Sequence, residues 1–183
     1  ELIEISLKEQ GKEDVLKKVA KYRQSNSRPF FLWKLNFEDV FESKGGFDVV
    51  IGNPPYGAEI EKNELSVIKK KLFDTNNSNS AALFIDFGIN RWKKEKGTVS
   101  FIVPKSLLYS ERWFSLVKKM AIKTKVIVDV EKAFQNVKLE QVVFVYGKLP
   151  SDLYNAKKFK EDKFINNIFI NVKEIEKYKA WLC

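Results

Sequence analysis

Short apolar runs of strand-forming residues alternate with longer helical patterns along this 183-residue chain, and this alternation restricts the possible folds most strongly. The strand-like runs lie at 30–35, 47–52, 98–104, 125–130 and 141–148, and the helical patterns at 7–23, 61–73, 80–95, 105–121 and 172–181. Strands that alternate with helices build a mainly parallel sheet covered by helices. The sequence therefore predicts an α/β fold, and 44% hydrophobic residues are enough to fill its core.

The last two predicted strands form an exception to the parallel arrangement. Only about ten residues without a helical pattern join 125–130 to 141–148, whereas a parallel crossover needs a dozen or more. These two strands are therefore predicted to be antiparallel. The strands at 30–35 and 47–52 are predicted to be buried neighbours in the same sheet.

Several kinds of chemistry are excluded by the residues that the chain lacks. Histidine is absent and Cys183 is the only cysteine, which removes His-based triads, Cys-His pairs, thiolate zinc sites and internal disulfides. We predict no metal site. The apolar runs are far shorter than the roughly 20 residues of a membrane span, and the acidic first residues are unlike a secretory signal. The expectation is a cytoplasmic protein without a membrane partner.

The charge balance favours a polyanionic partner. Thirty-three Lys and Arg against 24 Asp and Glu give a net charge of +9, which favours nucleic acid. A basic surface that only keeps the protein soluble is the alternative. The positive charge is concentrated at 91–96 and 105–125, and the predicted DNA contacts in the second segment are Lys105, Arg112, Lys118 and Lys119.

The segment with the most chemical information is Asn53-Pro54-Pro55-Tyr56, which directly follows the predicted strand 47–52. Open α/β sheets bind ligands at the carboxyl ends of their strands. The two prolines fix the backbone and carry no N–H, so the Pro54 carbonyl is rigid and free to accept a hydrogen bond. With the Asn53 amide oxygen, it gives two acceptors for one amino group that carries two hydrogens.

An exocyclic base amine such as adenine N6 fits two acceptors of this kind. Holding both N–H bonds out of the ring plane makes the nitrogen lone pair available to an electrophilic methyl group, and such a transfer needs positioning more than covalent catalysis. Methylation at cytosine C5 would need a thiolate nucleophile. Tyr56 offers a ring on which a flipped-out base could stack. The alternative is that Asn53–Tyr56 is only a rigid turn after a strand.

The segment GFDVVIGNPPYG at 46–57 resembles motif IV of the DNA N6-adenine methyltransferases. The wider pattern, from about 28 to 150, resembles the methyltransferase core of Type IIG restriction-modification enzymes with the segment order of the γ class. The resemblance implies the C-terminal, catalytic half of a Rossmann-like methyltransferase sheet that uses S-adenosyl-L-methionine and ends in an antiparallel strand pair. Residues 1–27 would then be a helix and linker from a preceding region, and 151–183 a C-terminal extension.

The resemblance also implies roles for individual residues. The target adenine would stack between Tyr56 and Phe134, and the cofactor would contact Asn36, Phe37 and Phe84, although Asn36 replaces the aspartate that is usual in the family. No G-x-G occurs in the chain, so the glycine-rich cofactor loop is expected upstream. The implied partners are double-stranded DNA, an upstream cofactor-binding half of the same polypeptide and a downstream target-recognition domain.

Other functions are compatible with the same residues. Asn-Pro-Pro-Tyr also serves methyltransferases of protein glutamine or of RNA amines, and a catalytically silent DNA-binding scaffold is a third possibility. The 127 residues after Tyr56 favour the DNA enzyme, because the other methyltransferases usually end sooner. A metal-dependent nuclease built from Asp152 and Glu161-Asp162-Lys163 is a weaker match, since such patterns arise by chance in lysine-rich chains.

Overall fold

The structure is a computed structural model that describes residues 36–57, 79–135, 137–147 and 150–181, together with seven single residues between 8 and 20. The chain divides into two compact units, Glu1–Asp39 and Val40–Cys183. In the first unit, six of the single residues are helical, in agreement with the predicted helix 7–23. The predicted strand 30–35 and the predicted helix 61–73 lie outside the described residues.

The described helices and strands follow each other in the α/β order that the sequence predicts. They are α1 (Glu38–Lys44), β1 (Phe47–Gly52), α2 (Ser80–Phe87), β2 (Lys93–Pro104), α3 (Phe114–Ala121), β3 (Thr124–Glu131), β4 (Gln141–Tyr146), β5 (Leu153–Lys160), β6 (Lys163–Asn171) and α4 (Lys173–Tyr178). None of the helices in the described ranges is both long enough and apolar enough to cross a membrane.

The six strands form one mixed sheet in the order β1-β2-β4-β3-β5-β6. Strands β1, β2, β3 and β5 run in one direction, while β4 and β6 run in the other. The predicted antiparallel pairing of β3 with β4 is confirmed. The prediction of a mainly parallel sheet was wrong, because β4 inserts between β2 and β3 and β6 pairs with β5, so that three of the five strand contacts are antiparallel.

The hydrophobic core lies between one face of this sheet and the helices α2 and α3. It combines the inward residues of β2 and β4, such as Phe101 and Phe144, with helix residues such as Ile85 and Met120. The opposite face is less covered, because Val49 and Ile51 on β1 are 60% and 80% exposed. The prediction that this strand is buried was therefore wrong. Among the described strands β1 is at the edge of the sheet, and only one of its faces meets the core.

Two predicted helices are shorter than the sequence pattern indicates. The helix predicted at 80–95 ends with a π-helical turn at Gly88–Trp92, and β2 begins directly after it. Lys93 pairs with Phe47 of β1, so strand pairing takes the lysine-rich segment 93–96 out of the helix. The helix predicted at 105–121 starts as two 3₁₀ turns at 105–108 and 111–113, and only its last eight residues are α-helical.

Strand β5 was missed in the sequence, and the reason is visible in its burial. Only Tyr154 and Ala156 are buried, and the second half of the strand is dominated by lysine. It pairs in parallel with β3 and in antiparallel with β6, so residues 151–171 extend the sheet. Because so few of its residues enter the core, the strand carries no strong alternating pattern.

The turn between β5 and β6 offers a test of backbone strain. Glu161 and Asp162 have φ values of 50° and 59°, the left-handed conformation of a two-residue hairpin turn that favours Asn-Gly. We expect Glu161→Asn with Asp162→Gly to stabilise the fold by about 1 kcal/mol. Thermal unfolding should show a midpoint higher by roughly 2–4 °C. Asp152→Gly, at an exposed position outside the left-handed region, is the control and should give no gain.

Candidate active site

Four loops meet at one edge of the sheet, where the four strands of common direction end. Residues 53–57 follow β1, residues 105–110 follow β2, the 132–140 loop joins β3 to β4, and Glu161-Asp162 follows β5. This is the edge at which open α/β sheets bind ligands. The structure therefore brings Asn53–Tyr56, Lys105 and Phe134 to the same edge, as the sequence predicts.

Asn53 and Pro54 present oxygen atoms that the rest of the described chain does not use. Asn53 is exposed and Pro54 is buried. No described residue donates a hydrogen bond to the Asn53 side chain or to the Pro54 carbonyl. An exposed amide oxygen next to a rigid main-chain carbonyl can accept two hydrogen bonds from one amino group.

The next carbonyl, that of Pro55, is held by a residue that the sequence analysis missed. The Ser80 hydroxyl, which is buried, donates to the Pro55 oxygen at 2.7 Å. Ser80 opens helix α2, whose N-cap is Asn79, and the Asn79 side chain accepts from the Ala81 amide at 2.9 Å. An asparagine immediately before a helical apolar run is an N-cap signal that could have drawn attention to this position. Ser80 thus ties the loop to α2 through Pro55, while the Asn53 side chain and the Pro54 carbonyl have no donor among the described residues.

Tyr56 is fixed through its hydroxyl group. The hydroxyl donates to the Ile102 carbonyl of β2 at 3.1 Å, and the half-buried ring packs against the core. Burial raises the pKa of Tyr56, so the phenol stays protonated and remains a donor at neutral pH. The hydrogen bond fixes the direction of the ring with respect to the carboxyl end of β2.

We expect Tyr56→Phe to destabilise the protein by about 1 kcal/mol, because the Ile102 carbonyl loses its donor while the ring is kept. Urea unfolding measures this difference. Tyr109→Phe, which removes an exposed hydroxyl, is the matched control and should change the midpoint very little. An equal loss in both variants would show that the Ile102 bond does not stabilise the fold.

Phe134 lies in the 132–140 loop and is 41% exposed. Its carbonyl accepts from the Val137 amide at 3.2 Å, which closes a local turn in the loop. Strand β4 is two positions from β1 in the sheet. Because neighbouring strands are about 4.8 Å apart, the 53–57 and 132–140 loops are about 10 Å apart where they meet these strands. The stacking of a base between Phe134 and Tyr56 stays a prediction.

The side chain of Gln141 closes the base of the 132–140 loop. Gln141 is completely buried, its Oε1 accepts from the Ala133 amide at 2.9 Å, and its Nε2 donates to the Leu139 carbonyl. The amide thus bridges both ends of the loop. The sequence analysis did not single it out, although a polar residue that opens an otherwise apolar strand is a recognisable signal.

Lys105 holds the same loop from the end of β2. Its ammonium group lies 2.8 Å from Glu140 Oε2 and 2.9 Å from Asp129 Oδ2, and its amide donates to the Glu140 carbonyl at 2.8 Å. Burial acts to lower the pKa of Lys105, but the hydrogen bonds to Glu140 and Asp129 outweigh it and hold the pKa above its ordinary value. This arrangement disfavours Lys105 as a phosphate ligand, because a phosphate would compete with two carboxylates.

The other predicted DNA contacts do not form one cluster with Lys105. Arg112 is exposed just before α3, whereas Lys118 and Lys119 are exposed near its C-terminal end, which leads back to the start of β3. Lys118 forms an ion pair with Glu176 at 3.0 Å. Only Arg112 among these three is near the edge that carries Asn53. DNA contact by all three residues stays a prediction.

The predicted cofactor residues are all exposed. Phe84 on α2 is 39% exposed, although its neighbours Leu83 and Ile85 are buried, and it contacts Trp92 edge-on with 5.8 Å between ring centroids. Asn36 and Phe37 directly precede α1 and belong to the first compact unit. Phe84 is therefore no core residue, and a role for the three residues in cofactor binding stays a prediction.

A cleft of about 640 Å³ opens on the far side of the 132–140 loop. It is lined by Val130, Glu131, Lys132, Ala133, Glu140, Phe159, Lys160, Glu161 and Asp162. Acidic residues outnumber lysines in this cleft, which makes it a poor site for a phosphate. Within the described ranges, no cluster of three or more acidic or cysteine side chains is arranged to hold a metal.

The possible nuclease pattern is not assembled in the fold. Asp152 precedes β5 and Glu161 follows it, so the eight residues of an extended strand separate them, which is roughly 26 Å. A metal ion cannot bridge carboxylates at such a distance. The pattern is a chance match in sequence.

The solved structures that superimpose on this chain include proteins of restriction-modification systems. A chain of a type I restriction-modification system described for its complex assembly and conformational transition superimposes with a TM-score of 0.59 at 12% identity, over 75% of this chain and 37% of that chain. For the type IIG restriction endonuclease BpuSI the TM-score is 0.55 at 15% identity, over 73% and 20%. For the type I methyltransferase subunit from Streptococcus thermophilus it is 0.51 at 18% identity, over 73% and 32%. These likenesses show a shared mixed α/β fold.

The sequence comparison identifies the family. This chain belongs to the Eco57I restriction-modification methylase family, whose profile matches residues 3–136. A curated relative from Methanocaldococcus jannaschii, described as a candidate type II restriction enzyme and methyltransferase, is 29% identical over 126 residues. The match covers 66% of this chain and 10% of that relative.

Proposed function

We propose that this chain carries the catalytic centre of a DNA methyltransferase that transfers a methyl group to adenine N6 of a flipped-out base. The observation that supports this most directly is the pair of unused acceptors on Asn53 and Pro54 at the carboxyl edge of the sheet. Membership in the restriction-modification methylase family supports a methyl transfer to DNA. The net charge of +9 suits a DNA partner.

The two acceptors act on the amino group of the base. The Asn53 amide oxygen accepts one N6 hydrogen and the Pro54 carbonyl accepts the other. Both hydrogens are then held out of the ring plane, so the nitrogen lone pair is less delocalised and more nucleophilic. Ser80 holds the adjoining Pro55 carbonyl and so restricts the conformation of the loop. Less entropy is then lost when the two acceptors are oriented toward the base.

The base itself would rest on aromatic rings. Tyr56 provides one face with its hydroxyl fixed on Ile102, and Phe134 would provide the other. Stacking tolerates any base, because every base has a π-face. The two acceptors would require an exocyclic amine with two hydrogens, such as adenine N6, and would reject thymine, which has none.

The cofactor implied by the family resemblance is S-adenosyl-L-methionine. When bound, it would supply a sulfonium-linked methyl group, whose transfer to N6 leaves a neutral thioether and one proton for solvent. Phe84 fits an aromatic contact to such a cofactor, since it is exposed on a helix whose flanking residues are buried. Asn36 and Phe37 are further candidates. The neutral amide of Asn36 would bind the cofactor more weakly than the charged carboxylate that is usual in the family.

We further propose that the sheet continues in another part of a longer polypeptide. Among the described strands β1 is at the edge of the sheet, and its Val49 and Ile51 side chains expose apolar area on one face, as expected if a cofactor-binding half pairs with that edge and covers that face. A target-recognition domain would supply contacts to the bases that flank the target base.

The test uses the full-length protein with radiolabelled S-adenosyl-L-methionine and unmethylated plasmid DNA. Label should enter DNA, and digestion to nucleosides followed by mass spectrometry should identify N6-methyladenine. Label in a protein or RNA substrate alone would contradict the proposal in favour of an amide or amine methyltransferase. DNA binding without any methyl transfer would contradict the proposal in favour of a catalytically silent DNA-binding scaffold.

A further inference from the structure

We infer that Lys105 is a positioning residue, which holds the 132–140 loop and with it the Phe134 ring at the candidate active site. The inference rests on the proposed function for its catalytic consequence. Its structural part depends only on the contacts of Lys105.

Three contacts join Lys105 to the loop and to the strand before it. The Lys105 amide donates to the Glu140 carbonyl at 2.8 Å, which extends the ladder of β2 and β4 by one bond. The ammonium group binds the Glu140 carboxylate at 2.8 Å and the Asp129 carboxylate at 2.9 Å. The Lys105 ammonium group thus connects the end of β2, the last residue of the loop and the C-terminal end of β3.

The Asp129 carboxylate extends this connection into the first half of the loop. Its other oxygen accepts from the Glu131 amide at 3.0 Å, where the backbone is left-handed with φ of 49°. Asp129 is 7% exposed, so without Lys105 a buried carboxylate would lose its cation. The backbone turns sharply at Glu131, where the chain leaves β3. The ion pair between Lys105 and Asp129 stabilises that turn.

Gln141 provides a further attachment of the 132–140 loop. Its side chain bridges Ala133 and Leu139 across the base of the loop, while Lys105 holds Glu140 and Asp129 on the side that faces β2. Phe134 directly follows the Ala133 amide that Gln141 binds. Because the Ala133 amide and the Phe134 carbonyl are both hydrogen-bonded, the backbone that carries the partly exposed ring is restrained.

The first experiment needs no activity. Amide hydrogen exchange is measured on the full-length protein and on Lys105→Met. We expect exchange in residues 131–140 to become about 10-fold faster or more, because the ion pairs that close this segment are lost. Lys118→Met, which removes an exposed lysine of α3 that is paired with Glu176 of α4, is the matched control and should leave the loop unchanged. Unchanged exchange in Lys105→Met would overturn the inference.

The second experiment separates positioning from DNA binding. Lys105→Met should lower kcat for DNA methylation about 10- to 100-fold and leave the Kd for DNA within about twofold. The slope of log K against log salt should not change, whereas loss of a phosphate contact would reduce it by about 0.9. A changed slope would show that Lys105 binds the DNA backbone. Lys105→Arg keeps the cation and should restore most of kcat.

A double-mutant cycle tests whether the effect passes through Phe134. In a Phe134→Ala background, Lys105→Met should lower kcat little further, because the ring that it positions is gone. Fully additive losses would overturn the inference. If Phe134→Ala alone leaves kcat unchanged, base stacking in the proposed function fails, and the exchange experiment still decides whether Lys105 holds the loop.

Discussion

Replacing Asn53 with alanine is expected to lower kcat for DNA methylation by about 10²- to 10³-fold, the usual cost of removing one preorganised hydrogen-bond partner of a transition state. The amide oxygen is exposed and no described residue uses it, so its loss should not disturb the fold. Thermal unfolding and DNA affinity should therefore stay close to those of the unaltered protein. The measurement is methyl transfer under single-turnover conditions with the full-length protein.

The control for Asn53→Ala is Asn166→Ala, which removes an equally exposed amide from β6, remote from the candidate active site. It should leave methylation unchanged. Asn53→Asp keeps an acceptor oxygen and should retain more activity than the alanine variant. If Asn53→Ala methylates DNA at the normal rate, the amide does not hold the target amine and the proposed chemistry is wrong.

Substituting Gly97 with alanine is expected to destabilise the protein by about 2–3 kcal/mol. A Cβ atom at this position would lie 2.7 Å from the Phe47 carbonyl oxygen and 3.1 Å from the Lys94 carbonyl oxygen. Both neighbours are backbone atoms at the start of the β1–β2 pairing, so they cannot move without disrupting the ladder. Thermal unfolding should show a midpoint lower by roughly 4–12 °C.

Gly147→Ala is the matched control for Gly97→Ala. Both glycines are buried, but the three atoms nearest to a Cβ at Gly147 would all belong to the side chain of Lys125, the nearest at 2.9 Å. That flexible side chain can rotate away, so the change in stability should be within about 0.5 kcal/mol. Similar midpoints for the two variants would show that the close approach at Gly97 is relieved by backbone adjustment.

Features with strong local signals could be predicted from the sequence. Apolar runs fixed the positions of β1, β3 and β4, and the short connection between the last two fixed their antiparallel pairing. The position of Asn53–Tyr56 at a carboxyl end followed from the strand before it. These predictions depend on neighbouring residues alone.

Features that depend on distant pairing could not be predicted in this way. Residues 93–96 carry a helical composition, yet Lys93 joins β2 because Phe47 lies opposite. Strand β5 has too few inward apolar residues to be recognised without its neighbours β3 and β6. Whether Ile51 is exposed depends on which other elements cover β1, and the composition of the strand does not determine that.

The candidate site shows the same division. Asn53, Pro54 and Tyr56 were identified from their chemistry, but the residues that support them are far away in sequence. Ser80 reaches Pro55 across 25 positions, and Lys105 reaches Glu140 across 35. The charge of Lys105 suggested DNA, whereas its surroundings show two carboxylates. A side chain's chemistry can be read locally, while its partner depends on the fold.

Both loops at the candidate site are attached to the end of β2, at two positions that are three residues apart. Tyr56 is bonded to the Ile102 carbonyl, and the 132–140 loop is bonded to the main chain and ammonium group of Lys105. The distance between the loops is therefore set by the backbone of β2, whose rise per residue is fixed by strand geometry. Helix packing on the buried face could drift during evolution while the width available to a planar ligand stays constant.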